Sequence, residues 1–252
     1  MKTFSMLFAA LIVGLVGSAA HAADAKLKVV KSLPLGHGGA QIQSTPSLTA
    51  TPFYSNISTF SGSAFTFGGT FSGTQPAGTS GLTTAMSCDD LSLNPGDPNG
   101  SYTLNEVSFS ASNVSAVDVT AAPSLLFYDQ ASGAIIDGVV FNPVTIPANS
   151  VQLFTANLSS LSPPIAFPLD ANGEANIWMC QIYDDAGGTT GASLGDLDSL
   201  GAGLCDPPTV GSSPDNIYLS DTPILSYVPL PSGIQGNFGG SPVANYCDEL
   251  AE

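Results

Sequence analysis

The stretch Ile177-Trp178-Met179-Cys180-Gln181-Ile182-Tyr183-Asp184-Asp185 decides the fold class of this chain. Successive side chains of an extended strand point to opposite faces of a sheet. Here one face carries Trp178, Cys180 and Ile182, and the other carries Ile177, Met179, Gln181 and Tyr183. Because both faces are largely apolar, the stretch predicts a strand that is buried on both sides.

Trp178 is the only tryptophan of the chain, and two interpretations of it are open. We expect it to pack in the core against a disulfide. The functional alternative is an exposed ligand platform, because carbohydrate-binding modules stack sugar rings on exposed aromatic side chains.

Similar segments recur on both sides of this strand. They are short, rich in β-branched and aromatic residues, and bounded by Pro, Gly, Asn and Asp, a pattern that predicts an all-β fold, namely a β-sandwich or jelly roll. The sequence contains no linker long enough to separate two domains, so we predict one domain over residues 49–252 after an extended lead-in over 23–48. The predicted strands are Tyr102–Ser110, Val114–Thr120, Ser124–Tyr128, Ala134–Phe141, Val151–Asn157, Asn176–Tyr183, Asn216–Ser220 and Ile224–Val228.

The first 22 residues have the pattern of a secretory signal peptide. Lys2 precedes an apolar run that is too short to span a bilayer, and the segment ends in Ala20-His21-Ala22, after which we predict cleavage. No later apolar run approaches the ~20 residues of a membrane span. We therefore expect a protein that is secreted, held at the cell surface or located in the periplasm.

The charge of the predicted mature chain excludes several classes of partner. Three lysines stand against 20 acidic residues, and the sequence has no arginine, which gives a net charge of −17 with histidine neutral. Such a charge repels nucleic acid and anionic lipid headgroups. An extracellular glycan or a cell-surface protein remains as a partner.

Four cysteines in an exported chain predict two disulfides. A zinc site would need closely spaced Cys or His pairs, which the sequence lacks. Three pairings are open on sequence alone. We favour Cys180 with Cys205, which would close an acidic loop, and Cys88 with Cys247, which would join the two ends of the domain.

A short helix is predicted inside that loop. Leu194, Leu197 and Leu200 recur every third residue, and Gly201 and Gly203 end the segment. The predicted architecture is thus a β-sandwich with one short helix in a disulfide-closed loop.

The same loop holds the densest group of carboxylates, which are the ligands that Ca²⁺ prefers. Solubility alone would also explain these acids. A structural Ca²⁺ is nevertheless the one specific cofactor hypothesis that the sequence supports. Its predicted ligands are Asp184, Asp185, Asp196, Asp198 and Asp206. Two further acidic segments, 97–100 and 170–173, end in Asn-Gly and are interpreted as plain turns.

The sequence offers little support for catalysis. Gly191–Gly195 matches the G-x-S-x-G motif, but no histidine follows Ser193, so we interpret the match as chance. Paired aspartates could serve a glycoside hydrolase, although nothing marks one of them as desolvated. We predict no catalytic residue.

Two segments resemble bacterial secreted proteins that often carry PEP-CTERM sorting tails. These segments are 184–213, which begins Asp-Asp-Ala-Gly-Gly-Thr-Thr-Gly, and 238–246, Phe-Gly-Gly-Ser-Pro-Val-Ala-Asn-Tyr. The resemblance implies an exported β-sandwich of uncharacterised function and assigns no catalytic residue. The chain lacks the Pro-Glu-Pro signal and the apolar and basic tail of that group, so we expect no anchoring by that route.

Three functional hypotheses follow. The first is a secreted or surface-associated, non-enzymatic β-sandwich that acts as a structural, adhesion or matrix interaction module. The second is a Ca²⁺-assisted carbohydrate-binding module, and the third is a glycoside hydrolase that uses paired aspartates.

Overall fold

The structure is a computed structural model that describes residues 21–22, 26–35, 50–58, 60–68, 71–74, 80–94, 101–170, 172–220, 230–237 and 245–252. Nearly all of its regular structure is β, as the sequence predicts. The elements in chain order are β1 (His21–Ala22), β2 (Lys28–Pro34), β3 (Pro52–Ser55), β4 (Phe60–Thr66), β5 (Phe71–Thr74), β6 (Ser80–Thr83), β7 (Met86–Ser92), β8 (Ser101–Thr103), β9 (Glu106–Asn113), β10 (Val119–Asp129), β11 (Ile135–Val140), β12 (Val144–Ile146), β13 (Ser150–Asn157), β14 (Ala166–Pro168), β15 (Asn176–Asp184), α1 (Leu194–Asp198), β16 (Leu200–Cys205), β17 (Asn216–Ser220), β18 (Ile234–Asn237) and β19 (Asp248–Ala251).

The strands form two large sheets that pack as a β-sandwich. The first sheet has the order β1-β11-β10-β15-β7-β17-β18, with β12, β5 and β6 attached beside it. The second has the order β2-β13-β9-β16-β4, and β19 pairs with both β9 and β3. Strands β14 and β8 form a separate small pair. The β-sandwich fold predicted from the sequence is confirmed.

Strand β15 lies inside the first sheet, between β10 and β7, and both of its faces are buried. Ile177, Met179 and Tyr183 point into the core between the sheets. Trp178, Cys180 and Ile182 belong to a second apolar cluster on the other face. The alternation predicted for this strand is therefore correct.

The main core is aromatic and draws on both sheets. Phe109 of β9 packs on Phe154 of β13, with ring centroids 5.7 Å apart, and Phe127 of β10 meets Phe167 of β14 at 5.2 Å. All four rings are fully buried. Because burial of one such side chain contributes roughly 1.5–3 kcal/mol, each of these rings stabilises the fold appreciably.

The disulfides join Cys88 to Cys180 and Cys205 to Cys247, so the predicted pairing of Cys180 with Cys205 and Cys88 with Cys247 is wrong. Cys88 and Cys180 are directly opposite each other on the neighbouring antiparallel strands β7 and β15. Cys205 ends β16 in the other sheet, where Leu204 pairs with Tyr246 beside Cys247. Each disulfide thus crosslinks strands within one sheet. Two disulfides fit a protein of an oxidising compartment.

The predicted short helix exists as α1, but it lies at the end of the connection from β15 in the first sheet to β16 in the second, and no disulfide closes this loop. Its N-terminus has a capping box formed by Ser193 and Asp196. Leu200, the last leucine of the predicted helical spacing, belongs to β16. In that strand Leu200, Ala202 and Leu204 point into the core. Gly201 lies between them, where an added Cβ would stand 1.8 Å from the carbonyl oxygen of Phe65 on β4.

Several predicted segments differ from the structure or cannot be compared with it. The strand predicted at Val114–Thr120 is wrong over most of its length, since residues 114–118 form a bend and β10 begins at Val119. Part of the predicted lead-in, β2, pairs with β13 at the edge of the second sheet. His21–Ala22 pairs with β11, although cleavage after Ala22 would remove it. The segments 97–100 and 224–228 and His37 lie outside the described residues.

In the part of the chain that the structure describes, no helix has the length and apolar character needed to cross a membrane.

Candidate functional site

Asp184 and Asp185 lie where β15 ends, and both are buried. The Asp184 carboxylate accepts a hydrogen bond from the Ala186 N–H at 2.7 Å, which fixes the turn that leaves the strand. Burial raises the pKa of Asp184 to about 6, more than this hydrogen bond lowers it. The Asp185 N–H donates to the Leu82 carbonyl at 3.0 Å and ties the turn to β6.

The other predicted calcium ligands have separate positions. Asp196 accepts hydrogen bonds from the Ser193 N–H at 2.8 Å and the Ser193 hydroxyl at 2.7 Å, which lower its pKa. Asp198 is exposed at the end of α1, and Asp206 is exposed just after β16. Over the described residues, no group of three or more His, Cys, Asp or Glu side chains is arranged to hold a metal ion. Binding of Ca²⁺ by the predicted set therefore stays a prediction without geometric support.

Trp178 is buried, with only 4% of its surface exposed. It packs in the apolar cluster that contains the Cys88–Cys180 disulfide, and its ring lies 5.8 Å from that of Tyr218. The prediction that it packs against a disulfide is confirmed. A sugar platform needs an exposed ring face, which this residue does not offer.

A polar groove lies at the end of the first sheet, where β10 and β7 end and β15 begins. It consists of two cavities of about 280 and 240 Å³ that share Glu174 and Asn176 as lining residues. The Ser92 hydroxyl donates to the Asn176 amide oxygen at 2.6 Å and orients that side chain. The first cavity is also lined by Ser92, Leu93, Asn94, Gly211 and Ser212, and the second by Asp129, Gln130, Ala131, Pro168, Leu169 and Asp170.

The groove is acidic and rich in hydrogen-bonding groups. Asp129, Asp170 and Glu174 supply carboxylates, while Asn94 and Gln130 supply amides. The Asp170 carboxylate accepts from the N–H groups of Asn172 and Glu174 at 2.8 and 2.9 Å, as expected for the turn predicted over residues 170–173. Among the residues that line the two cavities, none is basic. The groove can therefore accept hydrogen bonds from neutral hydroxyl groups but repels anions.

A second polar region, which we call the buried acid cluster, contains Asp89, Asp90 and Asp248. All three side chains are at most 1% exposed. Asp89 lies in β7 and accepts from the Tyr246 N–H at 2.8 Å. Asp248 begins β19 in the opposite sheet and accepts from the Gln181 amide of β15 at 3.2 Å, so that this contact spans the sandwich.

Uncharged polar side chains surround these acids. The Asn216 amide donates to Asp90 at 2.8 Å, and the Ser213 hydroxyl faces Asp90 at 3.2 Å. Asn56 connects the cluster to β3, since its Nδ2 donates to the Tyr54 hydroxyl at 3.2 Å and its Oδ1 accepts from the Asp248 N–H at 2.8 Å.

Burial and mutual repulsion change the protonation of these groups. Desolvation raises the pKa of Asp248 to about 8. Desolvation and the charges of Asp248 and Asp90 raise the pKa of Asp89 well above its ordinary value. Desolvation and the charges of Asp89 and Asp248 also raise the pKa of Tyr54. The three acids and Tyr54 therefore act on one another electrostatically.

The sequence interpretation missed this cluster, although a signal for it exists. Asp89 follows Cys88, and Asp248 follows Cys247. Disulfide-bonded cysteines are usually buried, so an acid directly after one is a candidate for burial, although Asp206, which follows Cys205, is exposed. The sequence prediction placed its acidic site at residues 184–206, where acids are most numerous.

No family model matches the chain, and comparisons with curated proteins and with solved structures find no significant match.

Proposed function

We propose that this chain is a secreted or surface-associated, non-enzymatic β-sandwich that acts as a structural, adhesion or matrix interaction module through its polar groove. The observation that carries the proposal is the pair of adjoining cavities that share Glu174 and Asn176. Concave surfaces with a few convergent polar groups are where ligands bind. The predicted signal peptide and the two disulfides support an extracellular location.

The ligand class that suits the groove best is a neutral glycan. Carboxylates such as Glu174 and Asp129 accept hydrogen bonds from sugar hydroxyls, and amides such as Asn94 can donate to them. The net charge of the chain disfavours sulfated or phosphorylated sugars. This ligand class corresponds to the carbohydrate-binding hypothesis drawn from the sequence, but it places binding at the groove and not at Trp178.

A glycan array probed with the mature protein, with and without Ca²⁺, tests the proposal. We expect binding to neutral glycans that weakens at least about tenfold in Glu174→Gln, since loss of a hydrogen bond to a charged group costs roughly 1.5–3 kcal/mol. Glu252→Gln is the matched control, because it removes the same charge from an exposed position outside the groove.

Two outcomes would contradict the proposal. An array without any binder in either buffer would remove the glycan, and binding that is equal in Glu174→Gln and the control would remove the groove. Hydrolysis of a bound glycan that Asp185→Asn or Asp196→Asn abolishes would establish an enzyme instead of a binding module.

A further inference from the structure

We propose that the polar groove binds a neutral oligosaccharide through two adjacent sugar rings, one in each cavity, and that Asn176 donates a hydrogen bond at the junction between the rings. This inference rests on the proposed function, to which it adds the size of the ligand and the residue that contacts its linkage. A single sugar ring would use only one half of the groove.

The first observation is the size of the two cavities. Their volumes are about 280 and 240 Å³. Pockets for drug-sized ligands begin at roughly 300 Å³. A disaccharide is a ligand of that size, whereas a single sugar ring is smaller. Each cavity therefore suits one ring, and a disaccharide needs both.

The second observation is that the residues shared by the two cavities, Glu174 and Asn176, have a fixed backbone. The Glu174 N–H donates to the Asp170 carboxylate at 2.9 Å, and the Glu174 carbonyl accepts from the Asp170 N–H at 2.8 Å. Asn176 begins β15, and its carbonyl accepts from the Gln130 N–H at 3.0 Å. The junction is therefore ordered before a ligand binds, which lowers the entropy lost on binding.

The third observation is that the Asn176 side chain keeps one polar atom for a ligand. Its Oδ1 accepts from the Ser92 hydroxyl at 2.6 Å, which orients the amide. Over the described residues, its Nδ2 makes no hydrogen bond and is not an enclosed atom. An amide nitrogen only donates, and the oxygen that joins two sugar rings has no proton and only accepts. A donor at the junction of the cavities therefore matches the linkage of a disaccharide.

The two cavities offer different contacts to a sugar ring. The first is polar, with Asn94 on one side, and its wall is closed where the N–H groups of Ser92 and Ser212 donate to each other's carbonyls at 2.8 and 2.9 Å. The second contains exposed Pro168 and half-buried Leu169, on which the C–H face of a ring can pack. The two ends of the groove are therefore not equivalent, and a disaccharide would bind in one direction.

Isothermal titration of the mature protein with sugars of increasing length tests this inference. The probes are glucose, maltose and maltotriose, then glucose, cellobiose and cellotriose, and any neutral glycan that binds on the array together with its shorter fragments. We expect the affinity to rise at least about tenfold from one ring to two, because the second ring adds contacts in the second cavity. A third ring should add less than about twofold, because it would lie beyond both cavities.

Three variants identify the contacts of the disaccharide. Asn94→Ala in the first cavity and Gln130→Ala in the second should each weaken its binding about two- to tenfold, the effect of losing one neutral hydrogen bond. Asn176→Asp keeps an oxygen for Ser92 but has no donor, and it should weaken binding by at least as much. Asn157→Ala, at an exposed position outside the groove, is the matched control and should bind as the wild type does.

Three results would overturn the inference while binding that Glu174→Gln weakens keeps the proposed function in place. One is a monosaccharide that binds as tightly as its disaccharide. Another is a loss of disaccharide binding in only one of Asn94→Ala and Gln130→Ala, which would confine the ligand to one cavity. The last is unchanged disaccharide binding in Asn176→Asp. A protein that binds none of these sugars would overturn the inference and the proposed function together.

Discussion

Replacing Asp248 with asparagine should change how stability depends on pH. Asp248 Oδ1 accepts from Gln181, and its Oδ2 is buried without a hydrogen bond. Asparagine has the same shape and keeps an oxygen for Gln181, but it cannot ionise. Asp248→Asn therefore removes the titration while it leaves the packing of β19 on β9 in place.

The sign follows from the pKa of Asp248, which burial raises to about 8. An aspartate in the unfolded chain has a pKa of about 3.9. Between these values the folded state holds a proton that the unfolded state has released, so the free energy of unfolding falls as pH rises. One such group contributes a slope of about 1.4 kcal/mol per pH unit, or about 3 kcal/mol between pH 5 and 7.5. Asp89 acts in the same direction, because its pKa is also raised.

Urea unfolding in EDTA at pH 5, 6, 7 and 8 measures these slopes. We expect the stability of the wild type to fall with rising pH and the slope of Asp248→Asn to be shallower by about 1.4 kcal/mol per unit between pH 5 and 7, and by less near pH 8, where folded Asp248 itself ionises. Loss of the Asp248 charge also lowers the pKa of Asp89, which flattens the pH dependence of stability further. Asp196→Asn, at the N-terminal cap of α1 and outside the buried acid cluster, should keep the wild-type slope. A wild type whose stability is flat or rises over this range would refute the buried, protonated state of Asp248.

Three further predictions concern the fold. Gly201→Ala should destabilise the protein by about 3 kcal/mol or more in urea unfolding, because its Cβ would meet the backbone of β4. Gly195→Ala is the control and should be neutral or slightly stabilising, because the space around Gly195 is open. Equal effects of the two substitutions would contradict the close approach of Gly201 to β4. Replacing Cys205 and Cys247 together with serine should lower the free energy of unfolding by roughly 2–5 kcal/mol, and an unchanged midpoint would argue against this disulfide. Trp178 fluorescence should resist iodide quenching in the folded protein and become quenchable in urea; quenching in the folded state would mean that the ring is exposed.

The features predicted correctly from the sequence are those that local pattern determines. The apolar residues on both faces of Ile177–Asp185 predict a doubly buried strand, and β15 is one. The leucine spacing predicted the short helix α1, and the structure adds the Ser193 cap that begins it. The same spacing suggested more helix than exists, because Leu200 belongs to β16, where apolar residues two positions apart, Leu200, Ala202 and Leu204, form the inner face of the strand.

The disulfide pairing depends on which strands are neighbours, and local pattern does not contain that information. Cys180 is 25 positions from Cys205 in the sequence but lies in the other sheet. Its partner Cys88 is 92 positions away and directly opposite on β7. A short loop between two cysteines favours their pairing only when the chain does not cross to another sheet, and here the segment between β15 and β16 makes such a crossing.

The same limit explains why the density of acids is a poor guide to their chemistry. Asp184 and Asp196 stand in the most acidic segment, yet their carboxylates bind local N–H groups, which any turn or cap supplies. The ionisation of Asp89 and Asp248 is altered because two sheets bring together residues 159 positions apart and exclude water from both. Desolvation is a property of the assembled sandwich. The acids of this chain with the most strongly shifted pKa values are therefore those that the assembled sandwich brings together and desolvates, and not those of its most acidic segment.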